Sequence, residues 1–174
     1  FGVLCGLISA RATGRGQVVD AAMIDGVASL LTVSHGRRQH GGHFRRGENI
    51  LDGGAPFYAA YRTKDGGYVA VGAIEARFYA SLIEGLGLDP AALPDRDERG
   101  NWPALRAILA ARFAEKTRHE WEAVFEGVDA CVSPVLELEE AGRHPHNVAR
   151  AMLIERDGVE HPAPAPRLLG TPGA

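Results

Sequence analysis

The sequence has few cysteines, no long apolar run and no strong excess of charge of either sign. Its 174 residues carry 19 Lys and Arg against 22 Asp and Glu, a formal charge of -3. This balance gives no reason to expect nucleic acid or an anionic membrane as a partner. No apolar run approaches the ~20 residues that span a bilayer, and residues 1–9 lack the basic leader of a secretory signal. We therefore expect a globular chain long enough for one core, without nucleic-acid or membrane partners.

Two cysteines, Cys5 and Cys131, each stand alone in an apolar stretch. Isolated cysteines of this kind indicate reduced, buried thiols in a cytosolic protein and not a disulfide framework. Three histidines, His35, His40 and His43, lie near one another, but their spacing matches neither a zinc finger nor a zincin, and cysteine partners are missing. We expect a cytoplasmic protein without a metal site.

Both ends of the sequence have the character of interior segments. Residue 1 falls in the middle of an apolar helical pattern with no capping residue before it. The other end is a proline-rich stretch, 162–172, with no closing element. We expect these residues to belong to a longer protein.

The first fifty residues are predicted to be helical with one interruption. Apolar spacing indicates a helix at the start, and the Gly pair at 14 and 16 ends it. Residues 17–20 indicate a short strand or an extended entry, and helical spacing returns from 21 to about 38. Residues 39–54 are rich in Gly, His and Arg and are predicted to be a loop that holds a domain boundary.

The following residues mix strands and helices without regular βαβ alternation, which favours an α+β class for this part. An Asp-Gly turn at 64–67 between two β-prone runs predicts a hairpin. Thr117 and Glu120 have the spacing of a capping box. The remaining elements predicted here are helices from about 75, 102 and 118, a short buried strand at 131–135, a short helical piece at 137–141 and a strand pair around Asp157.

Glu75 is the residue that the local pattern singles out for chemistry. It follows the β-prone run 69–74 and opens a helix, so its carboxylate would sit at a strand-to-helix turn where its ionisation can be tuned. Acidic residues are also common at helix starts for a structural reason, because the helix dipole stabilises them by about 0.3–1 kcal/mol. The residues alone leave both interpretations open.

The segment Asp52-Gly53-Gly54 is a second candidate. Two glycines beside an Asp and a Pro let the backbone approach a ligand closely. A tight turn that leads into the hairpin explains the same residues, and without further information it is the favoured interpretation.

Several strings, in this order along the chain, resemble one protein family. GRGQVVDAAM at 14–23 resembles a segment shared by the family III CoA-transferases, the CaiB/BaiF proteins. LDGGAPFY at 51–58 and VGAIE at 71–75 are similar to narrower motifs of the α-methylacyl-CoA racemase branch. DACVSPVL at 129–136 and PAPRL at 164–168 continue the resemblance.

The resemblance implies an α/β family fold in an interlocked homodimer. A large Rossmann-like domain and a small α+β domain are joined by linkers, and the active site lies between the large domain of one subunit and the small domain of the other. Residues 1–50 would be helices and linker from the large domain, and 51–160 the small α+β domain. Residues 161–174 would form a Pro-rich return segment toward the large domain.

The resemblance also implies an activity. Racemases of this branch interconvert R and S 2-methylacyl-CoA thioesters by removing the α-proton and returning it through an enolate, with no metal or redox cofactor. Glu75, the last residue of VGAIE, would support a catalytic histidine. Tyr58 would lie near the acyl group, Met23 would line the apolar wall that faces it or be plain core, and Asp52-Gly53-Gly54 would bind substrate.

The histidine and aspartate that transfer protons in this family belong to motifs upstream of residue 1, as do most CoA-binding residues. No histidine of this sequence matches the catalytic one, so we expect these 174 residues alone to be inactive. Two alternatives remain. One is a CoA-transferase that moves CoA between carboxylic acids through an aspartyl-CoA thioester, and the other is a non-catalytic α+β interaction module.

Overall fold

The computed structural model describes residues 1–42 and 44–171, which form two compact units, one ending at Glu48 and the other beginning at Asn49. His43 and residues 172–174 lie outside the described residues. His43 is one of the three clustered histidines, and residues 172–174 end the predicted Pro-rich return segment. The assignment of 1–50, 51–160 and 161–174 to domains of a larger protein stays a prediction.

As far as it is described, the first unit contains three helices, α1 (Gly2–Thr13), α2 (Met23–Leu30) and α3 (Thr32–Gln39). Helix α1 ends where expected because Gly14 adopts a left-handed backbone, φ 71°, from which its N–H reaches the Ala10 carbonyl. The prediction of a single helix from 21 to 38 is wrong. Two helices form instead, and they are separated at Leu31. There the Thr32 hydroxyl donates to the Ser29 carbonyl at 2.6 Å, a local bond that competes with the helical pattern.

The segment between α1 and α2 is an extended entry and forms no strand. Val19 from this segment lies against α1 at two glycines one turn apart. A Cβ at Gly2 or at Gly6 would stand 3.0 Å from a Val19 methyl carbon. These glycines therefore let the entry approach the helix closely.

The three helices of the first unit contain no fully buried residue. Large apolar side chains are exposed on each of them, including Leu4, Ile8, Ile24, Leu30 and Val33. The described part of this unit has helical structure without a core of its own.

In its described residues the second unit has two antiparallel sheets, five α-helices and two short 3₁₀ helices, Pro90–Ala92 and Arg99–Asn101. The larger sheet has the strand order β1-β2-β3 and the smaller one pairs β4 with β5. In chain order the elements are β1 (Tyr58–Arg62), β2 (Tyr68–Gly72), α4 (Ala76–Gly85), α5 (Trp102–Phe113), α6 (Arg118–Phe125), β3 (Val132–Val135), α7 (Leu138–Ala141), α8 (Pro145–Ala149), β4 (Leu153–Arg156) and β5 (Val159–Pro162).

The hairpin predicted across 64–67 is confirmed. Successive side chains along its strands point to opposite faces, one buried and one exposed. Tyr61 and Val69 face each other across β1 and β2 and are 3% and 1% exposed. Tyr61 stacks on Phe113 of α5, with ring centroids 5.1 Å apart, and Phe113 makes an edge contact with Trp121 of α6. The Trp121 indole N–H donates to the Phe113 carbonyl at 2.8 Å, so the aromatic core also satisfies its buried polar group.

The strand expected at 131–135 exists as β3, but the expectation that it is buried is wrong. Among the strands that the structure describes, β3 pairs with β2 only, so it is an edge strand, and its residues alternate between half-buried and exposed. Pro134 fits this edge position because proline cannot donate to a further strand.

The prediction that both cysteine thiols are buried is wrong as well. Cys5 lies on the uncovered helix α1, and Cys131 sits in a left-handed turn, φ 51°, before β3.

The capping box predicted for Thr117 and Glu120 is confirmed at the start of α6. The next residue, Arg118, joins this helix to α7, to the end of β3 and to the hairpin turn. Its guanidinium donates to Glu140 of α7 and to the Val135 carbonyl, at 2.8 and 2.9 Å, while its N–H donates to the Asp65 carboxylate of the hairpin turn. The bonds from Arg118 and the Glu137 N–H lower the pKa of Glu140 to about 2.

Because this pKa is lowered, Glu140 contributes stability that is present above its unfolded pKa of ~4.3 and is lost as the pH falls toward 2. We expect Glu140→Gln to lower the melting temperature at pH 7 and to approach the wild type between pH 5 and pH 2. Thermal unfolding followed at several pH values measures this. Glu139→Gln, the exposed neighbour, is the matched control. An unchanged difference across that pH range would contradict the role of the ion pair.

Gly85, the last residue of α4, provides a test of core packing. A Cβ at this position would lie 2.4 Å from Cε1 of Phe125, whose ring is held against Trp121 and cannot move freely. We expect Gly85→Ala to reduce the free energy of unfolding by about 1–3 kcal/mol. Gly100→Ala is the matched control, since no atom lies within 4 Å of its added Cβ. Equal urea midpoints for the two variants would show that the core relaxes around the methyl group.

Candidate active site

Glu75 stands at the junction between β2 and α4, as the sequence predicted. It is the N-terminal cap residue of α4, with φ -70° and ψ 145°, and its side chain is exposed and makes no capping hydrogen bond. Its backbone carbonyl accepts the Tyr79 N–H at 3.0 Å and so begins the helix. The carboxylate is therefore available for a contact outside its own helix.

Arg96 fixes the backbone that leads into Glu75. Its guanidinium donates to the carbonyls of Ala73, at 3.4 Å, and Ile74. The same group lies over the Phe57 ring, 4.0 Å from the centroid, and over the Tyr79 ring at 4.4 Å. Only 16% of the Arg96 side chain is exposed. A desolvated cation between two aromatic rings thus holds the last two carbonyls before Glu75.

The segment Asp52-Gly53-Gly54 forms a tight turn, which was the favoured interpretation. The Asp52 carboxylate accepts the Asn49 N–H at 2.7 Å, and Gly53 has a left-handed φ of 91° that a side chain would strain. Arg106 of α5 donates to the carbonyls of Gly53 and Gly54. The backbone of the turn is therefore anchored to the helix behind it.

The structure brings Tyr58 and Gly53 together in a groove on the exposed face of the larger sheet. This groove has a volume of about 400 Å³. Its lining residues are Gly53, Tyr58, Ala59, Ala60, Ala70, Val71, Gly72, Cys131 and Ser133. Asp52 and Gly54 flank the turn but do not line the groove.

Glu75 lies near one end of this groove, three residues beyond Gly72. Its negative charge acts on Cys131, which lines the groove. The pKa of the Cys131 thiol is raised by desolvation and by the negative charges of Asp129 and Glu75, while Arg77 lowers it. A thiol with a raised pKa stays protonated at neutral pH, so Cys131 lacks the thiolate character of a nucleophile.

Met23 lies in the first unit and is not core there. It is the first residue of α2, and 87% of its side chain is exposed. Whether it lines the apolar wall beside an acyl chain or is plain core of the whole protein stays a prediction.

Within residues 1–42 and 44–171, no group of three or more His, Cys, Asp or Glu side chains is arranged to hold a metal ion. Of the clustered histidines, His40 uses its Nδ1 in a 2.9 Å contact with the Gly36 carbonyl. No helix in the same residues is both long and apolar enough to cross a membrane.

Sequence reasoning missed three residues that shape this region: Arg96, Arg106 and Cys131 as an exposed lining residue. Arg96 and Arg106 act on carbonyls 22 and 52 positions away along the chain, and no local pattern marks such partners. Only Cys131 is marked in the sequence, as a lone cysteine before a short strand. Its apolar neighbours predict that it is buried.

Residues 1–173 match the sequence profile of CoA-transferase family III, and the chain belongs to that family. It is 46% identical over 175 residues to the α-methylacyl-CoA racemase of Mus musculus and 46% identical over 174 residues to that of Homo sapiens. Each alignment covers 99% of this chain and 46% of the relative. The chain thus spans about half the length of the curated relatives it matches.

The fold is similar to the crystal structure of a hypothetical protein from Mycobacterium tuberculosis. The TM-score is 0.72 at 19% identity, over 98% of this chain and 46% of that one. This likeness supports the mixed α and β fold. The Rossmann-like domain, the linkers and the interlocked dimer stay predictions.

The contacts of Arg96 lead to a test of how Glu75 is positioned. We expect Arg96→Met, which keeps an unbranched apolar stem but removes the guanidinium donors, to cost about 1.5–3 kcal/mol of stability, because two carbonyls lose a charged partner. Arg96→Lys should restore only part of this, since an ammonium cannot stack flat between rings while bonding both carbonyls. Urea unfolding measures the effect, with the exposed Arg62→Met as control. A Met variant as stable as the wild type would contradict the role given to Arg96.

Proposed function

We propose that the protein to which this chain belongs is an α-methylacyl-CoA racemase that interconverts R and S 2-methylacyl-CoA thioesters. The observation that carries the proposal is the 46% identity to two racemases along almost the whole chain. The position of Glu75 supports it, because an exposed carboxylate at a strand-to-helix turn near an uncharged groove can orient an imidazole that transfers protons at an acyl group.

In the proposed reaction a base removes the proton from the α-carbon of the thioester. The electron pair of the broken C–H bond moves onto the thioester carbonyl and forms an enolate, which hydrogen-bond donors stabilise. A proton then returns to the opposite face of the same carbon, so atoms and electrons balance without an oxidant or a cofactor. CoA enters only as part of the substrate.

The role that we assign to Glu75 is to position a histidine and not to take the substrate proton itself. The resemblance gives the proton transfers to a histidine and an aspartate that have no counterpart in residues 1–174. A carboxylate hydrogen-bonded to an imidazole fixes its tautomer and favours the imidazolium. The exposed carboxylate of Glu75, which makes no capping hydrogen bond, can make such a bond.

The other assignments follow from the same proposal. Tyr58 and the Gly53 turn would contact the acyl part of the substrate, and Met23 would line its apolar wall. A homodimer would bring the two kinds of domain together, and the cytoplasm would be the location. Each of these stays a proposal about the whole protein.

A CoA-transferase is the second candidate, because the family profile that the chain matches is named for that activity. Transfer would require an aspartate nucleophile that forms an aspartyl-CoA thioester. It gives no reason for a further carboxylate at Glu75, and for this reason we favour the racemase.

The test uses the complete protein with a 2-methylacyl-CoA in deuterium oxide and follows exchange of the α-proton by NMR. We expect exchange with loss of optical purity in the wild type and a drop of about 10–100-fold in Glu75→Gln, the size typical of a residue that orients another. The imidazole pKa should fall without the carboxylate, which moves the corresponding limb of the pH–rate profile to lower pH.

Glu84→Gln, an exposed carboxylate in the last turn of the same helix, is the matched control and should leave exchange unchanged. CoA transfer to an added free acid without exchange would make the protein a transferase. A Glu75→Gln variant with the rate and pH profile of the wild type would leave Glu75 as a residue that only begins a helix.

A further inference from the structure

Arg96 lies between two segments of the candidate site. Its guanidinium is 4.0 Å from the centroid of the Phe57 ring, and Phe57 precedes Tyr58 in the chain. The guanidinium is also 4.4 Å from the centroid of the Tyr79 ring, in the first turn of the helix that Glu75 caps. The two rings contact each other edge to face, with centroids 6.1 Å apart. One side chain therefore joins the entry of β1 to the first turn of α4.

The backbone on both sides of Glu75 is held by groups that contact Arg96. Before it, the guanidinium donates to the Ile74 carbonyl, which belongs to the same peptide group as the Glu75 N–H. After it, the Glu75 carbonyl accepts the Tyr79 N–H at 3.0 Å, and the Tyr79 ring packs on Arg96. Peptide groups are planar, so holding both of them fixes the direction of the Cα–Cβ bond between them.

Buried aromatic packing determines where Arg96 itself lies. The Trp102 indole N–H donates to the Arg96 carbonyl at 2.8 Å, and the Trp102 ring makes an edge contact with Phe57. Phe57 and Trp102 are 3% and 7% exposed and form a buried cluster with Ala55. A residue whose own position is locked by packing in this way can hold a functional group precisely.

The Glu75 side chain is exposed on this fixed backbone and makes no capping hydrogen bond. We infer that Arg96 is a positioning residue for the reaction: by holding the peptide groups around Glu75, it sets where the carboxylate meets the histidine that Glu75 supports. A displacement of about 1 Å at such a group can lower a rate about 100-fold. The inference rests on the proposed function and adds to its site a residue that does not touch the substrate.

A double-mutant cycle tests whether Arg96 acts through Glu75. The complete protein is compared with Arg96→Met, Glu75→Gln and the double variant, and kcat and KM for α-proton exchange of a 2-methylacyl-CoA are measured. We expect Arg96→Met to lower kcat about tenfold and to change KM less than about twofold. In the Glu75→Gln background the same substitution should change kcat less than about twofold, because the carboxylate that it would displace is already absent.

The pH–rate profile gives a readout that a merely structural role would not change. Arg96→Met should move the limb of the imidazole to lower pH, as expected for Glu75→Gln, because a displaced carboxylate supports the imidazolium less well. Arg96→Lys should recover only part of the rate, since an ammonium cannot bond both carbonyls while lying over the rings. A wild-type rate in Arg96→Lys would show that the positive charge alone suffices, and the positioning role would be wrong.

Gly85→Ala is the matched control for lost stability. The added methyl group meets Phe125 at the far end of α4 and does not contact Arg96. At a temperature at which every variant is folded, it should leave kcat and the pH–rate profile unchanged. An equal loss of rate in Gly85→Ala would overturn the inference, and so would a further tenfold loss when Arg96→Met is added to Glu75→Gln.

Amide hydrogen exchange of residues 72–79, followed by mass spectrometry of the complete protein, tests the inference without the reaction. We expect faster amide exchange here in Arg96→Met and no change in Gly85→Ala, because the Ile74 and Tyr79 N–H groups bond within the segment that Arg96 holds. If the wild type does not exchange the α-proton, the racemase proposal fails, and faster amide exchange in Arg96→Met would still support the positioning of Glu75. Unchanged amide exchange in Arg96→Met would overturn the inference whatever the reaction.

Discussion

The register of the hairpin between β1 and β2 is the constraint on which the second unit depends. With Tyr61 opposite Val69, one face of the sheet meets Phe113 and Trp121 in the core, and the other face presents Tyr58 and Gly72. A slip of one residue would exchange these two sets and leave apolar side chains in solvent. Burial of the inner face therefore determines where the outer groove forms.

Two arginines, one on α5 and one in the segment before it, hold the loops that flank the groove. Arg106 of α5 holds the carbonyls of the Gly53 turn, and Arg96, in the segment before α5, holds those before Glu75. In both cases a guanidinium donates to two consecutive backbone carbonyls. These bonds let an irregular backbone stay in place without a strand or a helix to satisfy it. The backbone beside the groove and the backbone before Glu75 are thus both held by residues that pack in the second unit.

The two units differ in what stabilises them. The second has fully buried side chains such as Leu105, Leu109 and Phe113, each 0% exposed. The first has regular helices with none buried, although α1 and the entry segment meet closely at Val19. Helices this short gain most of their stability from burial of an apolar face. In the described residues, only the helices of the second unit have this stabilisation from a buried core.

The sequence by itself determined the local elements of this protein. Apolar spacing, the turn at 64–67 and the pair Thr117–Glu120 predicted helices, a hairpin and a cap that the structure contains, because each depends on residues a few positions apart. Glu75 at a strand-to-helix turn was predictable for the same reason. Only the tertiary structure decided that β3 is an edge, that Cys131 is exposed and that Arg96 and Arg106 anchor distant carbonyls. These features depend on which surfaces meet in the folded chain, and residue type or spacing does not encode that directly.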